Sequence, residues 1–437
     1  MIRLVLALAV TCLATLPLRA EVKIQEVVSD GGITAWLVEE HSIPFTALEI
    51  RFAGGASVDV PSKRGAINLM TGLIEEGAGD LDARGFAKAR DALAASYGFD
   101  VSDDALSISA RFLTENREAA VDLLRLALTE TRFDEDAVER VRQQVLSGLR
   151  SDAKDPNKIA GTTFDQISFG DHPYASQLNG TIESVTALTR DDMFEAKDRI
   201  IAKDRLFVGA VGDITPEALG ALLDDLLGDL PETGAPMPMR ATLELTAGTT
   251  VVPFDTPQSV ALFGHEGIAQ DDPDFFAAYV LNVILGGGSF EARLMEEVRK
   301  KRGLTYGVYS FLVPKDHAEL YMGQVASAND RIAEAILVIR DEWARMAENG
   351  VTQDELDRAK TYLTGAYPLR FDGNGPIANI MVGMQMQGLP IDYIATRNDR
   401  IDAVSLEEAN RVAARILRPE DLHFVVVGQP EGLESTN

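Results

Sequence analysis

The chain has 437 residues, 46% of them hydrophobic and 25% charged, with a formal net charge of −27. That apolar content fills more than one core and excludes a disordered chain. The acidity argues against nucleic acid or an anionic membrane surface as a partner, and its simplest role is solubility.

The first twenty residues, MIRLVLALAVTCLATLPLRA, read as a secretory signal peptide. Arg3 gives the positive start, residues 4–17 form an apolar stretch too short to span a bilayer, and Ala20 offers a small residue for cleavage. Cleavage there predicts a periplasmic protein with no membrane span in the mature chain. It also removes Cys12, the only cysteine, together with Arg3 and Arg19, leaving a net charge of −29. Such a chain has neither disulfides nor a thiol nucleophile.

Strands are expected at 33–38, 46–53 and 105–112; the last two alternate apolar and polar residues, as half-exposed antiparallel strands do. Helices are expected at 62–76, 84–96, 115–131 and 134–154. Residues 231–248, PETGAPMPMRATLELTAG, carry three prolines and two glycines and read as a linker. Beyond it, strands are expected at 259–264, 305–313 and 319–326, and helices at 273–285, 289–302, 329–348 and 352–366.

The second set mirrors the first. Residues 185–212 align without a gap on 401–428: Arg199, Ile200, Leu206, Val211 and Gly212 recur as Arg415, Ile416, Leu422, Val427 and Gly428. In each copy a polar cap, Thr189 or Ser405, starts a helix with acids in its first turn, and a buried strand ending in glycine follows. Residues 133–149 and 351–367 keep nearly the same offset. The expected organisation is therefore a signal peptide (1–20), a first half (21–230), the linker (231–248) and a homologous second half (249–437). The fold class is α+β, with antiparallel sheets covered by helices in each half.

The five histidines, His41, His172, His265, His317 and His423, are scattered, and no two lie within a turn or two of each other. A catalytic zinc usually takes three protein ligands, so no metal site in this chain is legible. Serine-nucleophile and phosphate-loop motifs are absent too. Gly286-Gly287-Gly288 follows an apolar helix and precedes Ser289, which can cap the next one. It is either a tight turn between helices or a mobile gate whose backbone approaches another chain. A basic run, Arg299 to Arg302, ends at Gly303, and a strand beginning LTYGVYS returns. That reversal could lay Tyr306 beside Arg299, giving either a surface contact or a pair of donors for a carbonyl or oxyanion.

At LGGGSFEARLMEEVRKKRGLTYGVYS (285–310) and FGDHPYASQLNG (169–180) the sequence resembles the pitrilysin-like M16 peptidases, which include the mitochondrial processing peptidase. The resemblance spans nearly the whole mature chain. It implies that Gly286, Gly287 and Gly288 contact substrate and that Arg299 and Tyr306 serve catalysis. Active members of that family carry H-x-x-E-H near the start of the first half. Here Asn68, Thr71 and Gly72 stand at those positions, and the distal glutamate position after Glu139-Arg140 falls near Leu146. No zinc ligand or general base remains. The resemblance therefore implies a non-catalytic subunit, with no cofactor of its own, that adds Arg299 and Tyr306 to a zinc-bearing H-x-x-E-H partner acting on peptides. The alternative it leaves is a non-enzymatic peptide-binding or assembly protein. A third reading is an enzyme with an unrecognised site.

Overall fold

The computed structural model describes residues 23–288 and 290–436; the signal-peptide expectation at 1–20 and the Ser289 cap fall outside them. The first half contains β1 (Gln25–Val28), β2 (Thr34–Glu39), β3 (Phe45–Ala53), a two-stranded hairpin of β4 (Gly77–Ala78) and β5 (Leu81–Asp82), then β6 (Ser96–Val101), β7 (Ala105–Leu113) and β8 (Leu206–Gly212). The second contains β9 (Gly248–Pro253), β10 (Gln258–Glu266), β11 (Val308–Lys315), β12 (Ala318–Ala328) and β13 (His423–Gly428).

These make a six-stranded sheet, β1-β2-β8-β3-β7-β6, and a five-stranded sheet, which read from its other edge is β9-β13-β10-β12-β11. The second order repeats the first without β1. In each sheet one pair is parallel, β2 with β8 and β9 with β13, and the other pairings are antiparallel. The sheets are thus mixed rather than wholly antiparallel, because β2 and β9 each pair with the last strand of their unit across a long connection.

The repeated glycines have a steric cause. Gly212 and Gly428 end their strands at φ 142° and 154°. A Cβ at Gly212 would lie 2.2 Å from the Phe45 carbonyl oxygen, and one at Gly428 would lie 2.3 Å from Ser259 Oγ. The equivalent residues Thr46 and Ser259 each place their Cα 2.8 Å from that Cβ position, so one close approach selects glycine twice.

One face of each sheet packs on helices of its own half. Leu48, Ile50, Phe52, Leu106, Ile108 and Phe112 form the strand side of the first core. Phe263, Tyr321, Val325 and Phe424 pack with Leu281 and Trp343 in the second. The opposite face is covered reciprocally. The helix Pro156–Phe169, encoded in the first half, lays Ala160, Phe164 and Phe169 against Leu320, Met322, Val425 and Val427 of the second sheet. The helix Asn374–Met386, encoded in the second, lays Ala378, Met381 and Met384 against Trp36 and Val211 of the first.

Segment 231–247 contains no helix or strand, but it is not a slack spacer. Its N–H groups at Ala235, Ala241 and Glu244 donate to the carbonyls of Arg199, His317 and Ser168. The sequence-based expectations differ from the structure at three places. The helix expected at 62–76 is confined to Ala66–Thr71, and the tail of the one expected at 84–96 gives way to β6. The one expected at 289–302 contracts to a π-helical turn, Met295–Lys300, and its flanks.

Phe164 is fully buried beneath the second sheet. Phe164→Ala is expected to cost about 3–5 kcal/mol. Because each half covers the other, Trp36 and Trp343, monitored in Trp343→Phe and Trp36→Phe backgrounds, should report one coincident denaturant transition that shifts together. A shift seen only at Trp343 would contradict the interlock.

Candidate functional site

The helix Ala66–Thr71 carries Asn68 and Thr71, two of the positions that the sequence resemblance aligns with the metal motif. The buried Asp59 carboxylate accepts from the N–H groups of Gly65, at 2.8 Å, and Ile67, at 3.0 Å, and so caps it. Burial raises that carboxyl to about 6, against the pull of these donors and of Arg64. Asn68 is half-buried, Thr71 buried and Gly72 exposed. The Thr71 hydroxyl donates to Ile67 O at 2.7 Å within the helix. A Cβ at Gly72 would meet Val141 Cγ1 at 3.2 Å, so the helix Glu135–Asp152 runs close by.

On that neighbouring helix Leu146 is buried with Leu149 and Val185. Glu139 accepts from Arg142 and Gln143, and Arg140 pairs with Glu76. An amide, a hydroxyl already bonded to its own helix, a glycine and a leucine do not fit a zinc ion. Among the described residues no group of three His, Cys, Asp or Glu is placed to hold a metal.

The second region lies in the other half. The helix Phe275–Leu285 ends where the N–H groups of Gly286 and Gly287 both donate to Asn282 O, at 2.9 and 2.8 Å. The Gly286 carbonyl accepts from the Ser310 N–H at 3.0 Å, which closes the start of the β11 edge. A Cβ on Gly286 would fall 2.6 Å from Ser310 Oγ. Gly286 is therefore set by close packing. Gly288 is left-handed, at φ 87°, with open space around its Cβ position.

The π-helical turn brings Lys301 N–H to Glu296 O, five residues back. Such turns occur often at functional sites. Local acids claim three of the four cations. Lys300 pairs with Glu296 at 3.1 Å, Lys301 with Glu297 at 2.7 Å, and Arg302 with Glu297 at 2.8 Å. Among the described residues no carboxylate pairs with Arg299; its guanidinium lies over the Phe290 ring, 5.1 Å from the centroid. Phe290 is itself 64% exposed.

Gly303, at φ 62°, ends the turn, and its N–H donates to Arg299 O. The returning backbone is firmly held. Thr305 Oγ1 donates to Ala326 O at 2.6 Å, and Arg331 donates to the carbonyls of Arg302 and Gly303. From this anchored segment Tyr306 projects with 85% of its surface exposed. The expected reversal is present, but no hydrogen bond joins Arg299 to Tyr306.

The scattered histidines resolve into ordinary contacts. His265 is buried, accepts from Trp343 Nε1 at 2.9 Å and is lowered by burial to about 4, so it is neutral. His41 lies between Glu39 and Asp213. His423 bonds Thr246 O and Thr250. His172 and His317 come within 6.3 Å of each other, ring to ring, although 145 positions separate them in the chain. Sequence spacing carries no signal for that pair.

Two duplicated mixed sheets exchange a helix, the helix at 66–71 carries no metal ligand, and among the described residues no carboxylate pairs with Arg299. In sequence and fold the chain is similar to M16 peptidase homologues. Residues 187–363 match the family described as peptidase M16 inactive domain. The non-peptidase homolog YmxG of Helicobacter pylori is 28% identical over 411 residues, covering 94% of this chain and 95% of its own. An uncharacterized zinc protease of Streptomyces coelicolor is 27% identical, covering 83% of this chain and 80% of its own. The crystal structure of a peptidase M16 inactive domain from Pseudomonas fluorescens superposes with a TM-score of 0.85 at 27% identity, covering 94% of this chain and all of that one. A chain of complex III2 from Candida albicans shares the fold, with a TM-score of 0.79 at 15% identity, covering 94% of this chain and 97% of its own. The M16 resemblance read from the sequence is borne out. Among the described residues no helix is long and apolar enough to cross a membrane.

Arg299→Ala and Tyr306→Phe should each change stability by less than about 0.5 kcal/mol, since neither side chain has a buried partner. Glu297→Gln, which removes the acid holding Lys301 and Arg302, should lower Tm. Thermal unfolding of the three variants checks this, and a large loss from either of the first two would assign that residue a structural role.

Proposed function

We propose that this chain is the non-catalytic subunit of a heteromeric periplasmic M16 metallopeptidase, exported by residues 1–20. It presents Arg299 and Tyr306 to peptide bound on a zinc-bearing partner with the H-x-x-E-H motif. The observation that carries this reading is the selective pairing around Arg299. Three cations of the run are matched by acids, and the fourth is left over an exposed ring beside a firmly anchored, exposed tyrosine. A guanidinium and a phenol are both donors. From the facing half they would orient a scissile carbonyl and stabilise the oxyanion that develops on it. The partner's zinc would supply the Lewis acid and the activated water. This chain's own helix at 66–71 has nothing to bind zinc, so the two functions would be divided between chains. Gly286 to Gly288 would border the bound peptide.

The second reading, a non-enzymatic peptide-binding or assembly protein, is favoured by the name of the Helicobacter pylori relative, a non-peptidase homolog. One experiment separates the two. The mature chain is combined with an H-x-x-E-H chain from the same source, and peptide hydrolysis is followed with and without a zinc chelator. On the first reading, Arg299→Ala and Tyr306→Phe each lower turnover by roughly ten- to a hundred-fold while the complex still assembles. Unchanged turnover in both variants would remove the donor role. Peptide binding with no effect on hydrolysis would favour the second reading.

A further inference from the structure

A cleft of about 480 Å³ opens between the helix Phe275–Leu285, the helix Gln353–Ala366 and the segment 288–292. That volume falls in the range of small-ligand pockets, about 300–1,000 Å³. The proposed function assigns it no role.

The sequence explains its lining. Nine of the eleven residues of Phe275–Leu285 are buried, so the helix is apolar nearly all round, and its last turn presents Val283 and Ile284 to the cleft. On the facing helix, small Ala359 leaves the space that Tyr362, three residues on, borders. Val283, Ile284, Ala292 and Ala359 are buried and form the floor. Phe290 and Tyr362 are 64% and 51% exposed and stand at the mouth. Gly288 has no side chain to close it.

The charged groups at the rim are spent on one another. Arg293 donates through Nε and Nη2 to the two Glu355 oxygens, at 2.7 and 2.8 Å, and the Thr352 N–H adds a third bond at 2.8 Å. Arg358 pairs with Asp354 and lies 3.7 Å from Glu291. An aliphatic floor under matched charges favours a neutral, apolar occupant, since a polar one would lose its water without gaining partners.

Phe290 ties the cleft to Arg299. Its ring lines the cleft and also lies beneath the Arg299 guanidinium, 5.1 Å from the centroid. An extended peptide advances about 3.3–3.6 Å per residue. We propose that this cleft is a specificity pocket for one large apolar side chain, such as leucine, methionine or phenylalanine, on a peptide residue within about two positions of the carbonyl that Arg299 would hold; this rests on the reading above that peptide lies beside Arg299. The shape selects the occupant. The floor is reached only between Phe290 and Tyr362, which suits a single inserted side chain. A flat surface of a second copy would cover the two rings and leave the floor empty.

The test combines this chain with the H-x-x-E-H chain from the same source. Hydrolysis is followed for peptides carrying leucine, alanine or aspartate in turn at each of the two positions on either side of the scissile bond. At one position leucine is expected to exceed alanine in kcat/KM by roughly ten- to a hundred-fold, with aspartate poorer still. Tyr362→Ala, which removes one wall, should bring the leucine-to-alanine ratio within about three-fold, and Ala359→Leu, which fills the floor, should do the same. Tyr362 is half-exposed, so its variant folds and carries the test even if Ala359→Leu lowers Tm. Arg299→Ala, by contrast, should slow every peptide alike and keep the ratio. No leucine preference at any position, or a preference that survives in Tyr362→Ala, would overturn the pocket while leaving the proposed function standing. Hydrolysis indifferent to this chain and to Arg299→Ala would remove the proposed function instead. The pocket is then decided by fluorescence anisotropy of the labelled leucine and alanine peptides with this chain alone. Tighter binding of the leucine peptide, lost in Tyr362→Ala, would support it, and equal binding of the two would overturn it.

Discussion

Each sheet needs cover on two faces, and the helices of its own half pack on only one of them. The helices Pro156–Phe169 and Asn374–Met386 resolve this by crossing to the opposite sheet. The rest of the architecture depends on that exchange. It turns two repeats into one body, makes the segment 231–247 a hydrogen-bonded strap, and brings Asp103, Tyr174 and Lys315 into one cluster. It also makes a hinge within the chain costly, since opening would strip the apolar cover from both outer faces. On the proposed function, access of peptide to the shared site is then a matter of movement between chains.

Much of the fold was legible because local pattern and tertiary role agree. The alternation in β3 and β7 matches one buried face, and the glycine ending β8 and β13 reflects one clash repeated in both copies. Where they disagree, the sequence misleads. Residues 84–96 are rich in helix-forming residues, yet Leu93 ends the helix, Ala94 turns left-handed at φ 48°, and β6 begins at Ser96, where β7 supplies its hydrogen bonds. Residues 289–302 fit helical periodicity, yet the described part of them forms a π-helical turn, Met295–Lys300, and its flanks. The exchanged helices are least legible, because nothing local in either says which sheet it will cover.

The candidate site divides in the same way. The loss of donors at Asn68, Thr71, Gly72 and Leu146 can be read directly, because zinc chemistry demands particular residue types. The basic run at 299–302 can be read as well. That, among the described residues, acids match all its members except Arg299 cannot, because a π-helical turn and the position of Phe290 decide it. Tyr306 is exposed because Thr305, buried and bonded to β12, fixes the backbone and turns the next side chain outward. On the proposed function, a chain without metal ligands at these positions that presents an arginine and a tyrosine in this manner supplies one part of a composite site.

The most direct measurement is the rate at which the H-x-x-E-H chain from the same source cleaves an unstructured peptide as this chain is titrated in. The account predicts low activity from either chain alone, a saturable rise in kcat/KM on mixing, and complete loss with a zinc chelator. Full activity of the zinc-bearing chain by itself, unchanged by saturating amounts of this one, would contradict it.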